Sequence, residues 1–144
     1  MAMMDGDNRG RFGELVRLHT QGRRFLDRDE ERRLLEEGVT RYNLTAEEAR
    51  GVLRSSAVEE QLALEHDLDS SGSQLLRTLS DRRGRVSRDD FNKTVAFYRA
   101  RAGQALSKPD AERRVKRLME EADLKPARAG RIIRTRRWYR QIEG

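Results

Sequence analysis

The sequence predicts an all-α fold of six to eight short helices, arranged as two pseudo-repeated helix–loop–helix units. Three observations carry this reading. Large apolar residues recur at helical spacing, and no run sustains the period-two alternation of a half-buried strand. Four helix-start signatures punctuate the chain: Leu26-Asp27-Arg28-Asp29-Glu30, Leu44-Thr45-Ala46-Glu47-Glu48, Val86-Ser87-Arg88-Asp89-Asp90 and Leu106-Ser107-Lys108-Pro109-Asp110. Each sets Asp, Ser or Thr at an N-cap, with a carboxylate three residues on. The cap oxygen accepts a bond from a free N–H of the first turn, and the carboxylate lies at the positive helix end. Finally, the second pair of starts follows the first at offsets of 60 and 62 residues.

In chain order, residues 1–10 read as a flexible polar start. A first helix follows, with Phe12, Leu15, Val16 and His19 on one face. The helix capped by Asp27 carries Leu34 and Leu35 and meets Gly38. The helix capped by Thr45 carries Ala49, Val52 and Leu53, and apolar spacing resumes at Val58, Leu62 and Leu64. Asp67 to Ser73 (Asp-Leu-Asp-Ser-Ser-Gly-Ser) has the composition of a loop and is the natural joint between the halves. A helix through Leu75, Leu76 and Leu79 leads to a turn at Asp81–Gly84. The helix capped by Ser87 has the cleanest stripe: Phe91, Thr94, Val95, Tyr98 and Ala102. Val86 can staple onto Phe91. The helix capped by Ser107 carries Ala111, Val115, Leu118 and Met119, and Lys125-Pro126 opens the last segment. Gly84-Arg85-Val86 and Arg24-Phe25-Leu26 are candidates for a short bridge between loops. The expected organisation is a helical domain over 11–124, with pseudo-repeats at about 11–66 and 73–124, and a basic C-terminal helix over 125–144.

Two loops share features with calcium-binding loops. In Leu79–Asp90, Gly84 stands sixth, Val86 eighth, Ser87 ninth and Asp90 twelfth, but Leu79 and Arg83 stand where a calcium loop needs oxygen ligands. Asp67-x-Asp69-x-Ser71-Gly72 supplies the early oxygens and the glycine, yet Thr78 stands where a bidentate Glu is needed. Asp67, Asp69 and Ser71 are therefore only weak metal candidates, and no metal or cofactor is expected. With Gly84-Arg85-Val86-Ser87-Arg88-Asp89-Asp90-Phe91 and Leu44-Thr45-Ala46-Glu47-Glu48-Ala49, residues 22–122 resemble degenerate EF-hand-like and TerB-like bacterial helical domains. The resemblance implies a small cytoplasmic accessory module that works beside a larger ATPase or membrane system. In TerB-like proteins, acidic clusters are thought to bind metal.

Composition narrows the function classes. Hydrophobic residues make up 35% and charged residues 39%, so the core is lean. Without cysteine there are no disulfides or thiolate metal sites. No stretch has the length of a membrane span, and Met1–Gly10 lacks an apolar signal region, so a cytoplasmic location is expected. Only His19 and His66 are available for acid–base work, and no phosphate loop or nucleophile elbow appears, so no enzymatic activity is expected. His66, Asp67 and Asp69 make a weak ligand set.

Charge is uneven. Residues 1–92 hold 16 Lys+Arg against 19 Asp+Glu, and residues 93–144 hold 15 against 6. Only four of the 31 basic residues are Lys, a bias that runs along the whole chain and fits an Arg-favouring genome. The C-terminal segment gathers Arg128, Arg131, Arg134, Arg136, Arg137, Trp138, Tyr139 and Arg140. Arginines neutralise phosphates and aromatic rings stack on unpaired bases. Alternatively, the segment docks Ile132, Ile133 and Trp138 on the core and turns its arginines toward Glu30, Glu31, Glu36 and Glu37. The sequence thus predicts a non-enzymatic interaction module that binds a protein partner through an apolar groove or this segment. Nucleic-acid binding by the Arg/Trp/Tyr segment is the alternative.

Overall fold

The computed structural model describes residues 2–130 and 133–143. The order is α1 (Ala2–Thr20), β1 (Phe25–Leu26), α2 (Arg28–Thr40), α3 (Ala46–Glu59), β2 (Ala63–Leu64), α4 (Glu65–Leu79), β3 (Arg85–Val86), α5 (Arg88–Arg101), α6 (Lys108–Glu121), β4 (Lys125–Pro126) and α7 (Arg137–Arg140). The fold is all-α, with seven helices and four two-residue strands among the described residues. Two compact units divide the chain, Met1–His66 and Asp67–Gly144.

In the first unit the caps form as their residue types require. Asp27 accepts from the Glu30 N–H at 2.8 Å. Thr45 accepts from the Glu48 N–H at 3.1 Å while Glu48 accepts from the Thr45 N–H at 3.0 Å, a reciprocal capping box. Arg9 of α1 pairs with the same Glu48. These contacts hold the Glu48 carboxyl at about 2, the Thr45 N–H first and Arg9 next. The core gathers Phe12, Val16, Leu26, Leu34, Leu44, Ala49, Leu53 and Leu64. β1 and β2 pair in parallel, Phe25 opposite Ala63 and Leu26 opposite Leu64.

The second unit repeats the plan. Ser87 caps α5 through the Asp90 N–H at 3.1 Å, and Ser107 caps α6 through the Asp110 N–H at 3.2 Å. Phe91, Thr94, Val95, Tyr98 and Ala102 are all buried, as are Ala111, Val115, Leu118 and Met119. Val86 and Phe91 are both fully buried, as the staple requires. β3 and β4 pair in parallel, Arg85 opposite Lys125 and Val86 opposite Pro126.

The equivalence extends to single hydrogen bonds. Leu62 N–H donates to the Ala57 carbonyl at 2.8 Å, and Leu124 to Met119 at 2.8 Å. Ala63 donates to the Arg24 carbonyl at 2.9 Å, and Lys125 to Gly84 at 2.9 Å. The residue that turns each chain before β2 and β4 has positive φ, +52° at Gln61 and +57° at Asp123. One pair of core positions is exchanged between the units. In the first unit the Phe12 ring lies on Gly38, where an added Cβ would be 2.9 Å from Phe12 Cζ. Sixty residues on, the glycine is Gly72 and the ring belongs to Tyr98, with Leu118 Cδ1 also on the glycine. A large and a small side chain thus swap helices at the equivalent positions, the volume-conserving exchange that cores tolerate.

Several expectations are corrected. Asp67–Ser73 is not a loop but the body of α4. Its polar composition favours a turn, yet Leu68, Asp69, Gly72 and Leu76 are buried at helical spacing, and packing overrides propensity. Arg24–Leu26 and Gly84–Val86 do not bridge each other. Each pairs within its own unit, with the strand that begins two residues after the positive-φ turn at Gln61 or Asp123. His19 is exposed and Thr20 takes the buried position of the α1 stripe, donating to the Val16 carbonyl at 2.8 Å. Val58 is exposed and Ala57 buried. The polar start belongs to α1 from Ala2. The described residues of 125–144 form not one helix but a strand, an antiparallel bridge and the single turn α7.

Candidate functional site

Pro126 and Gly130 explain why the C-terminal segment leaves the helical path. Pro126 has no N–H, and the bonds to β3 use its neighbours, Lys125 to the Gly84 carbonyl and Ala127 to the Val86 carbonyl. Ala129 and Thr135 then exchange both backbone bonds, at 2.7 and 2.9 Å. Gly130 opens the turn between them with φ +146°, and a Cβ there would stand 2.2 Å from the Ile133 carbonyl oxygen. Only glycine fits.

The aromatic residues of α7 turn inward. Trp138 and Tyr139 set their ring edges against the fully buried Phe91, centroids 5.3 and 6.3 Å apart. Trp138 Nε1 donates to the Ala127 carbonyl at 3.0 Å. Lys116 places its ammonium 4.9 Å from the Tyr139 ring centroid and donates to the Ile142 carbonyl at 2.7 Å. Burial, with Glu120 alongside, pushes the Tyr139 phenol up to about 12. Both rings are half-buried.

The arginines stay outside. Arg128, Arg134, Arg136 and Arg140 line one depression of about 490 Å3, together with Pro126 and Thr135. All four are exposed, and none forms an ion pair among the described residues. Among the described residues, no acidic side chain lines the depression. The bridge brings Arg128 and Arg134 together, and the turn into α7 adds Arg136 and Arg140. Arg137 is exposed but does not line the depression, and Arg131 lies outside the described residues, as does Ile132. Four like charges around one concavity repel one another and favour an anion there. The surrounding charge has the same sign, since residues 67–144 hold 20 Lys+Arg against 11 Asp+Glu. The first unit offers a contrast. A groove there of about 900 Å3, over Leu35, Val39, Leu53 and Leu64, is lined by both Arg28, Arg32, Arg50, Arg54 and Asp29, Glu31, Glu36.

The metal candidates are not brought together. Asp67, Asp69 and Ser71 lie on α4, where helical geometry turns Asp69 away from the other two. Asp69 is buried and accepts from the Tyr98 hydroxyl at 2.7 Å and from Arg117 at 3.3 Å. His66 Nδ1 is 3.0 Å from Glu31 Oε2. In the Leu79–Asp90 loop, Asp81 accepts from the N–H groups of Arg83 and Arg85, both at 2.9 Å, and from Arg85 Nε at 2.8 Å. The Arg85 N–H leads in lowering the Asp81 carboxyl below its usual range. Among the described residues, no group of three His, Cys, Asp or Glu is placed to hold a metal. Glu30, Glu31 and Glu37 find partners inside the first unit, in Arg23, His66 and Arg41.

Comparison with family models, with curated proteins and with solved structures finds no match. Among the described residues, no helix is long and apolar enough to cross a membrane.

Proposed function

We propose that the protein is a non-enzymatic interaction module that docks an acidic segment of a protein partner on the second unit. The observation that carries this reading is the depression lined by Arg128, Arg134, Arg136 and Arg140, with no acidic side chain among its described lining residues. Guanidinium groups present planar forks that bind anionic oxygens bidentately, and these are already gathered by the backbone. The repeated helix–loop–helix scaffold would then hold this surface in place. As parts of the same proposal, the scaffold is of the EF-hand-like and TerB-like kind and the module is a cytoplasmic accessory protein.

Trp138 and Tyr139 speak against the nucleic-acid alternative. Their rings are engaged with Phe91 and Lys116, so base stacking would first require undocking them. The test is a titration of the full chain with a Glu-rich dodecapeptide, read from Trp138 fluorescence at low and physiological salt. The proposal expects saturable binding that weakens with salt and is lost in Arg134→Gln/Arg136→Gln. Binding unchanged in that variant would refute it.

A further inference from the structure

We infer that the four-arginine depression is a phosphomonoester site that takes a phosphorylated serine or threonine of the partner. The inference rests on the reading of this depression as a docking site and specifies its ligand. The argument is one of matching charge and donors. A carboxylate brings one negative charge and two oxygens, whereas a phosphomonoester brings about 1.5 to 2 charges at neutral pH and three terminal oxygens. Arg128, Arg134, Arg136 and Arg140 converge from both sides of the Ala129–Thr135 bridge and from the turn into α7. Each guanidinium carries five N–H donors and no acceptor. A single carboxylate leaves most of that charge uncompensated, and no side chain of the lining has to be displaced from the arginines first.

Shape favours a peptide over a polymer of phosphates. The arginines surround one concavity of about 490 Å3 rather than a track along a face. That volume lies within the range that accommodates ligands larger than a bare ion. Buried Pro126 contributes to the lining, and Ile133, next to Arg134, is 75% exposed. Ile133 gives apolar surface to a residue flanking the phosphate. A nucleic-acid strand would want free aromatic faces, and both rings of α7 are packed against Phe91.

The experiment is isothermal titration of the full chain at physiological salt with three Gly/Ala-rich dodecapeptides. They share a Leu after the central residue, which is phosphoserine, Glu or Ser. A mixed-sequence single-stranded oligonucleotide is the fourth ligand. The phosphopeptide is expected to bind about tenfold or more tightly than the Glu peptide, as for charge-assisted bonds to a dianion. Arg134→Gln/Arg136→Gln is expected to lose that preference, with melting unchanged because both side chains are exposed. Arg101→Gln removes a charge at the far end of α5 and is expected to keep it. Equal affinity for the phosphoserine and Glu peptides overturns the phosphate inference and leaves the docking proposal standing. No binding of any peptide overturns the phosphate inference, and no binding of the Glu-rich dodecapeptide as well overturns both. Preference for the oligonucleotide, lost in the same double variant, replaces the peptide with nucleic acid. A phosphopeptide preference that survives in the double variant removes the site from the depression.

Discussion

Replacing Gly38 with alanine tests how the repeated core is filled. Gly38 lies in α2, buried, and a Cβ built there would be 2.9 Å from Phe12 Cζ, 3.1 Å from Phe12 Cε2 and 3.0 Å from Ala49 Cβ. Non-bonded carbons prefer roughly 3.5–4.0 Å, so the ring or the helix must move by about 0.5–1 Å. The ring has nowhere easy to go: Phe12 is fully buried, with the Tyr42 ring centroid 5.7 Å away. Overpacking of this kind costs about 1–3 kcal/mol. Alanine recovers about 0.8–1 kcal/mol of helix propensity, leaving a net loss of up to about 2 kcal/mol. Gly51 supplies the internal control. It lies in α3 with nothing within 4 Å of an added Cβ, so Gly51→Ala should stabilise. Thermal and urea unfolding of both variants, with Phe12→Leu in each background, gives the assay. The expected pattern is a lower melting point for Gly38→Ala, a higher one for Gly51→Ala, and a favourable coupling of about 0.5 kcal/mol or more between Phe12→Leu and Gly38→Ala. If Gly38→Ala stabilises as much as Gly51→Ala, the ring-on-glycine contact does not constrain the core, and the reasoning is wrong.

Three further outcomes follow from the same geometry. Hydrogen bonding to Arg23 leads in holding the Glu30 carboxyl down at about 2. A depressed acid stabilises above its unfolded value, about 4.3, and that contribution disappears as pH falls toward 2. Glu30→Gln should therefore flatten the decline in melting temperature across that window, while a decline equal to that of the native chain would refute the assignment. Tyr98→Phe removes the hydroxyl that donates to buried Asp69 and should cost about 1–2 kcal/mol in chemical unfolding, with no change in helical circular dichroism. Gly130→Ala sets a Cβ against the Ile133 carbonyl oxygen and should weaken anionic-peptide binding while leaving global unfolding nearly unchanged. Unaltered binding would separate the turn from the site.

The parts of the fold legible in the sequence are those written in short-range chemistry. The four caps and the α5 and α6 stripes are local patterns, and each meets its partner in the structure. The β pairs were not legible, because two residues such as Ala63-Leu64 or Lys125-Pro126 carry no periodicity. The first half of α4 is hidden because Asp67, Asp69, Ser70, Ser71 and Gly72 are turn formers by composition, whereas Leu75, Leu76 and Leu79 mark its second half. The helical state of the first half depends on Tyr98 and Leu118 reaching Gly72 from elements distant in sequence. At the site, the sequence singles out the arginine-rich segment but treats it as one helix. Pro126 and Gly130 were the signals against that helix. They separate four converging arginines from two inward-facing rings.

The arginine-rich depression is most directly tested by following the Nε–Hε resonances of the arginines by nuclear magnetic resonance as inorganic phosphate is added to the full chain. The account predicts saturable shifts at Arg128, Arg134, Arg136 and Arg140 that precede any change at exposed Arg82 and Arg101. Shifts spread evenly over the arginines, or centred outside these four, would contradict it.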